Sequence, residues 1–380
     1  MIAQWLSALV LWAVAAPAPA SYALKGARVL DLATGAWSAP ALVLVSGGRI
    51  SRIAPEAEYR AGLADSTVDL TGKYLIPGLI DAHVHLGIGG RPAANALADL
   101  RAGFTTVADL GAVSHAILRL RDSINAGLLP GPRVLAAGLW VGIKGGVCEF
   151  TGIGIAGGAE AFRARIRENA AAGADLVKLC VSGWPAESFA NPERYELPDE
   201  VLAASVAEAH AEGKLAVAHA ISRGAVQASL RAGVDGLAHA AYLDSATSAA
   251  MRSQRMFMVA TLASLAGGDS SAASRGLRES VLLAHRLGVR ILLGTDGGVL
   301  PHGRNAEEAL ALRAAGLEPL EVLRAGTLYA AAALRLADSL GALRSGMAAD
   351  LLALEGDPLQ DLAVLRRPRL VMARGRIAVP

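Results

Sequence analysis

Leu75-Ile76-Pro77-Gly78-Leu79-Ile80-Asp81-Ala82-His83-Val84-His85 is an apolar run that closes on two histidines one residue apart. In an extended strand alternate side chains share a face, so Asp81, His83 and His85 point one way and Ile80, Ala82, Val84 and Leu86 the other. Two imidazoles leaving one strand end side by side suit a divalent cation of the zinc type, which takes nitrogen ligands. An isolated His-x-His is equally often a pair of core histidines. The rest of the chain has to decide.

Outward from this run, short β-rich segments alternate with alanine-rich helical stretches, the sign of a parallel βα architecture. The strand segments are expected to end at His85, Asp109 (Phe104 to Ala108), Val141 (Arg133 to Trp140), Ser182 (Leu176 to Val181), His219 (Leu215 to Ala218), His239 (Gly236 to Ala238), Leu262 (Phe257 to Thr261) and Asp296 (Arg290 to Thr295). Eight such runs match a (β/α)8 TIM barrel of about 250 residues. A doubly wound sheet lacks support, because no Gly-x-Gly-x-x-Gly follows the first strand. Helices are expected from Pro198 to Gly213, capped near Asp199, and from Glu279 to Gly288. His115, His210 and His285 fall on these outer segments and read as structural.

The flanks differ from the centre. Ala23 to Leu32, Ala41 to Val45 and Arg49 to Ile53 read as strands, with a turn at Ser46-Gly47-Gly48. Asp350 to Leu354 and Leu370 to Ile377 read the same way near the other end. Both ends are therefore expected to build one small β-sandwich domain, from 21–74 and 340–380, around a barrel over 75–339.

Composition narrows the class. A net charge of +2 and the absence of a basic block with interleaved aromatics make nucleic acid an unlikely partner. The 53% of hydrophobic residues is mostly dispersed alanine, so a polytopic membrane protein does not follow. Residues 1–20 stand apart: Ile2 to Ala16 is nearly all apolar, and Ala18-Pro19-Ala20 fits an A-x-A cleavage site. The expectation is a signal peptide, an exported (periplasmic or secreted) mature chain opening at Ser21, and no membrane contact after cleavage. An uncleaved anchor is the rival, since the first region carries no Lys or Arg. Cys148 and Cys180 are too few for a disulfide framework, and two buried free thiols are expected, although export would permit pairing.

In a barrel, catalytic groups gather where strands end at the C-terminal face. Here those ends carry His83 and His85 on the first strand, Lys178 on the fourth, His219 on the fifth, His239 on the sixth and Asp296 on the eighth. Charged groups at a barrel mouth are costly unless paired or coordinating. Six on one opening support each other.

With these motifs the chain resembles the amidohydrolase superfamily of binuclear metal hydrolases, near its imidazolonepropionase-like and prolidase-like (Xaa-Pro and Xaa-Arg/Lys dipeptidase) branch. The similarity is carried by Pro77 to His85, Ala174 to Gly183, Val217-Ala218-His219-Ala220, Gly236-Leu237-Ala238-His239, Gly294-Thr295-Asp296 and Gly346 to Leu351. The resemblance implies two divalent ions, zinc first. His83, His85 and Asp296 would hold one, His219 and His239 the other, and a carboxylated Lys178 would bridge them. A metal-bridging hydroxide would attack, and Asp296 would serve as general base and then general acid. The implied substrate is a small molecule, the implied assembly a homo-oligomer, and the implied reaction cleavage of an amide bond in a dipeptide or N-acyl amino acid. A lactone or ester hydrolase with the same metals is the alternative, and a non-catalytic scaffold a second. A deaminase is disfavoured by Lys178, because deaminases of this superfamily generally work with one metal and lack that lysine.

One departure matters. The dipeptidase branch often has Gly-Gly-His after the third strand, whereas this chain has Gly145-Gly146-Val147-Cys148-Glu149. Either Lys144, Glu149 or another loop would then polarise the carbonyl, or the scissile group differs, which leaves hydrolysis expected but dipeptidase specificity open. Substrate contacts are expected from Trp184, in the long Trp184–Glu196 loop read as a lid, and from Tyr242, His302 and Arg304. Tyr195 is a further candidate for an aromatic wall. Asn305 is expected to cap a helix with Glu308 at its third position, leaving His302 and Arg304 where anions are favoured.

Overall fold

The computed structural model describes residues 21–265 and 272–380. The expected signal segment, 1–20, lies outside the described residues. Among those described, no helix is long and apolar enough to cross a membrane.

Strands from both ends of the chain share one sheet. Its order runs Arg376–Val379, Leu370–Ala373, Leu351–Leu354, Tyr74–Pro77, Tyr22–Asp31, Ala41–Ser46, Arg49–Pro55. The join is antiparallel, with Leu351 opposite Pro77 and Leu354 opposite Tyr74. Leu24, Val43, Ile50, Leu75, Leu351 and Met372 pack into a single apolar cluster, so burial favours the meeting of the two ends. Leu370 to Ile377, expected as one strand, turns back at Arg374 and Gly375, both left-handed at φ 51° and 71°. A Cβ on Gly375 would stand 2.6 Å from the Cα of Gly48, so glycine is needed where the two hairpin turns touch.

From Tyr74–Pro77 the chain passes through Gly78 into Leu79–Val84, the first of eight parallel strands. At Gly78 a Cβ would lie 2.1 Å from Thr105 Oγ1, so only glycine fits. Leu79–Val84, Phe104–Asp109 and Arg133–Ala136 form one parallel sheet; Leu176–Cys180, Leu215–Ala220, Gly236–His239, Phe257–Val259 and Arg290–Leu292 form another. Isolated parallel bridges, Val141 to Leu179 and Val84 to Gly297, link the two sheets at both edges. The third, seventh and eighth strands are shorter than expected, since the chain leaves the ladder early to turn towards the opening.

Helices connect the strands and bury one stripe each. Ala159–Ala171 buries Phe162, Ile166 and Asn169, which are spaced for one helical face. The helix expected from Pro198 spans Asp199–Ala211, but Asp199 does not cap it. Its carboxylate binds the Tyr195 hydroxyl at 2.9 Å and pairs with Arg231 instead. The loop expected as an open lid contains a helix of its own, Pro185–Ala190.

Candidate metal centre

Strand alternation places the two imidazoles of Leu79–Val84 and the residue after it on one side. His83 Nε2 and His85 Nε2 lie 3.2 Å apart. Asp296 Oδ1 is 3.3 Å from each. Lys178 Nζ approaches His83 Nε2 at 3.3 Å from the fourth strand. The His219 and His239 rings meet at 4.6 Å between centroids, and His239 lies 5.3 Å from His83. All six residues expected at the strand ends therefore converge. Only His219 is more than marginally exposed.

Backbone strain collects here. Asp296, His239 and Thr261 have φ values of 56°, 77° and 52°, a region that costs a non-glycine residue about 1–3 kcal/mol. Each follows or ends a parallel strand, where the turn aims the side chain into the opening.

Neighbours set the tautomers. A carbonyl only accepts, so His85 Nδ1, 3.0 Å from Gly111 O, carries the proton and Nε2 faces the centre with a lone pair. His239 Nδ1 pairs with Thr261 Oγ1 at 2.7 Å. His219 Nε2 faces Gly183 O at 3.3 Å, leaving Nδ1 as its ligand atom. Asp81, expected on the histidine face, is buried as a brace. It accepts from His83 N, Thr295 N, Thr295 Oγ1 and Asn305 Nδ2 at 2.6–3.1 Å. Asp109 accepts from Leu86 N and Gly111 N.

The electrostatics follow from burial. Desolvation brings the Lys178 amine down to about 7 and His219 to about 4, and it drives His83 and His239 well below the usual imidazole range. Burial raises Asp81 and Asp109 to about 6.

These residues fit a cation. The lone pair of His85 Nε2 confronts the carboxylate oxygen of Asp296 at 3.3 Å, acceptor against acceptor, which favours a positive charge between them. His83, His85 and Asp296 each offer a ligand atom, all within 4.8 Å of one another. Lys178, 2% exposed, supplies an amine that burial makes easy to deprotonate.

The residues expected to touch substrate fare unequally. Trp184 is 49% exposed and ends an aromatic row: its ring is 5.9 Å from Phe150, Phe150 is 5.0 Å from Trp140, and Trp140 is 5.4 Å from His85. Tyr242 lines a cavity of about 930 Å³ beside Phe189 and Arg223. Tyr195 is turned outward onto Asp199. His302 is not free for substrate, since Nδ1 pairs with Asp99 at 2.9 Å and Nε2 faces His85 O at 3.3 Å. Arg304 is exposed on the surface. The capping box is also absent: Asn305 makes no cap bond and holds Asp81, while buried Glu308 accepts from Leu262 N and Ala263 N. Burial carries Glu308 up to about 8.

The loop after the third strand corrects a second expectation. Cys148 and Cys180 are not free thiols but a disulfide, with Cα atoms 6.2 Å apart. The Val141–Leu179 bridge and the pairing of Gly142 with Ile155 fold this loop over the fourth strand and bring the sulfurs together. Val147, in the place of the family's histidine, is buried, and its N–H donates to both oxygens of Glu196 at 3.0 and 3.1 Å. Glu149 braces Gly145 N, and Lys144 is exposed. Asp81, Asp109, Thr261 and Trp140 sit on strand runs that were legible in the sequence and Glu308 read as a capping partner, but the contacts that Thr261, Glu308 and Trp140 make at this site were not foreseen.

Comparison with known proteins agrees with this geometry. The model of the amidohydrolase family matches residues 74–378. The chain is 29% identical to the ochratoxinase of Aspergillus niger over 78% of its own length and 73% of the relative's. It superposes on a Xaa-Pro dipeptidase with methionine bound in its active site at a TM-score of 0.86 and 25% identity, covering 94% and 99% of the two chains. A prolidase complexed with N-methylphosphonate-L-proline gives 0.81 and 27%, with the same coverage. The chain belongs to the amidohydrolase family and to its prolidase-like branch. It is a hydrolase acting on carbon–nitrogen bonds.

Proposed function

We propose that the chain is an exported, metal-dependent (β/α)8 hydrolase that cleaves the amide bond of an N-acyl amino acid or dipeptide. Bridges at both edges of the two parallel sheets support a closed barrel, and the Cys148–Cys180 bond supports an oxidising compartment. His83, His85 and Asp296 would hold one divalent ion, and His219 and His239 the other. Lys178, deprotonated and carboxylated by CO2 with release of a proton, would bridge them. Bound ions would supply Lewis acidity and an activated water. Asp296 would take the proton of the attacking water and deliver it to the leaving nitrogen. The aromatic row from Trp140 to Trp184 suits an aromatic acyl group or side chain. The names of the relatives, an ochratoxinase and a Xaa-Pro dipeptidase, favour an amide over an ester.

The observation that carries the reading is Lys178, an amine buried against an imidazole at 3.3 Å. Elemental analysis of protein purified with bicarbonate should give two divalent ions per chain, and a crystal structure should show a carbamate on Lys178. Assays should cleave N-acyl amino acids or dipeptides ahead of homoserine lactones. One ion with a bare lysine, or lactones as the better substrates, would overturn it.

A further inference from the structure

A second cavity, of about 610 Å³, opens at the other end of the parallel strands. Arg133 begins the third strand, and the loop 125–131 leads into it, so this is the face opposite the histidines. The terminal sheet closes the other side with its two touching turns, Gly47-Gly48 and Arg374-Gly375. These turns deliver Arg49, Arg374 and Arg376 to the same space as Arg133.

No acid lines this cavity among the described residues; Asp350 lies behind it, 3.8 Å from Arg133 Nη2. Part of each guanidinium is spoken for. Arg374 Nη2 donates to Gly131 O at 2.8 Å and Arg49 Nη1 to Gly346 O at 2.7 Å. Behind the lining, Arg374 Nη1, Arg133 Nε and Asp350 Oδ2 are buried with no hydrogen-bond partner. Burial and the charge of Arg133 push Arg374 below the usual guanidinium range. Four arginines in the lining with one carboxylate behind them leave the cavity positively charged. A structure that gathers four guanidinium groups around an open cavity stabilises an anion there. Leu128 and Leu129, 75% and 39% exposed on the rim, offer apolar surface beside that charge.

We propose that this cavity is a binding site for a phosphate group carried on an apolar body, remote from the metal centre. The planar forks of Arg133 and Arg374 would take the phosphate oxygens, and Leu128 and Leu129 the apolar part. The group could belong to a soluble monoester or to a lipid headgroup.

The test is calorimetric titration of the holoenzyme with inorganic phosphate and phenyl phosphate, beside sedimentation with phosphatidylglycerol vesicles. Phenyl phosphate should bind more tightly than inorganic phosphate. Arg374→Gln should weaken binding by about tenfold, the loss of one charged hydrogen bond. Arg376→Gln, at an exposed position, tests the site even if the Arg374 variant fails to fold. Both should leave kcat/KM for the amide substrate within about twofold. Vesicle binding abolished by Arg376→Gln would assign the phosphate to a lipid; phenyl phosphate binding without vesicle binding would assign it to a soluble ester. Phosphate affinity unchanged in both variants would place the anion at the metals and overturn the proposal. So would the absence of any binding at about 10 mM.

Discussion

Removal of the Cys148–Cys180 bond separates two roles for the loop after the third strand. The bond spans 32 residues. Loop closure of that length constrains the unfolded chain by about 4 kcal/mol at 25 °C. With an unfolding entropy of about 2.1 cal/mol/K per residue over a mature chain of about 360 residues, that corresponds to a melting temperature lower by about 5 °C. Both sulfurs are buried beside Trp140 and Val147, so paired alanines avoid placing a hydroxyl in an apolar site. The Cys148→Ala/Cys180→Ala variant should therefore melt about 5 °C below the parent in a scanning fluorimetry series. Function should respond at the same place. Cys180 lies on the face of the strand that carries Lys178, and the released loop borders the aromatic row. KM should rise more than kcat falls. A variant melting within about 1 °C of the parent, or two titratable thiols in the denatured, unreduced chain, would refute the reasoning.

Three further outcomes follow from the groups around the candidate metal centre. Thr261→Val removes the hydroxyl that fixes His239 Nδ1 and should weaken metal retention about 10–100-fold in a chelator competition; unchanged retention would deny Thr261 that role. Asp81→Ala leaves Asn305 Nδ2 and the N–H groups of His83 and Thr295 without their acceptor and should cost about 3 kcal/mol in denaturant unfolding, with Asp81→Asn costing less. Burial lowers the pKa of His302, but the bond and charge of Asp99 outweigh it and leave the pKa raised above 6.5. That pair's stabilisation is full below the unfolded value and is lost as pH rises through the folded one. Melting temperatures taken from about pH 6 to 9 should fall for this reason, and Asp99→Asn should flatten that stretch; an unaltered slope would exclude the pair.

The candidate ligands were legible because strand ends in a parallel fold expose their last polar residues in one direction. His83, His85, Lys178, His219, His239 and Asp296 could be placed by alternation and strand order alone. The supporting groups were not, because their partners are distant in sequence. Asp81 meets Thr295 and Asn305 across more than 200 residues, and Glu308 meets Leu262. His302 and Asn305 read as a helix start open to anions, yet both turn inward to satisfy buried carboxylates. Pairing of Cys148 and Cys180 ranked below free thiols for the same reason: cysteine count says nothing of how a loop folds back over a neighbouring strand.

The tail motif from Gly346 to Leu351 acquires a physical role in this frame. Asp350 O accepts the N–H of Gly78 at 2.8 Å, five residues before His83, and Leu351 pairs with Pro77. The same strand is held at its far end, where His83 O accepts from Asp296 N at 2.8 Å and Gly297 O from His85 N at 2.6 Å. The strand of His83 is thus pinned at its start by residues 350–351 and at its tip by the segment that carries the Asp296 carboxylate. A shift of one residue at Gly78 would turn His83 and His85 to the opposite face. The terminal sheet, although distant from the chemistry, therefore fixes the register on which the ligand set depends.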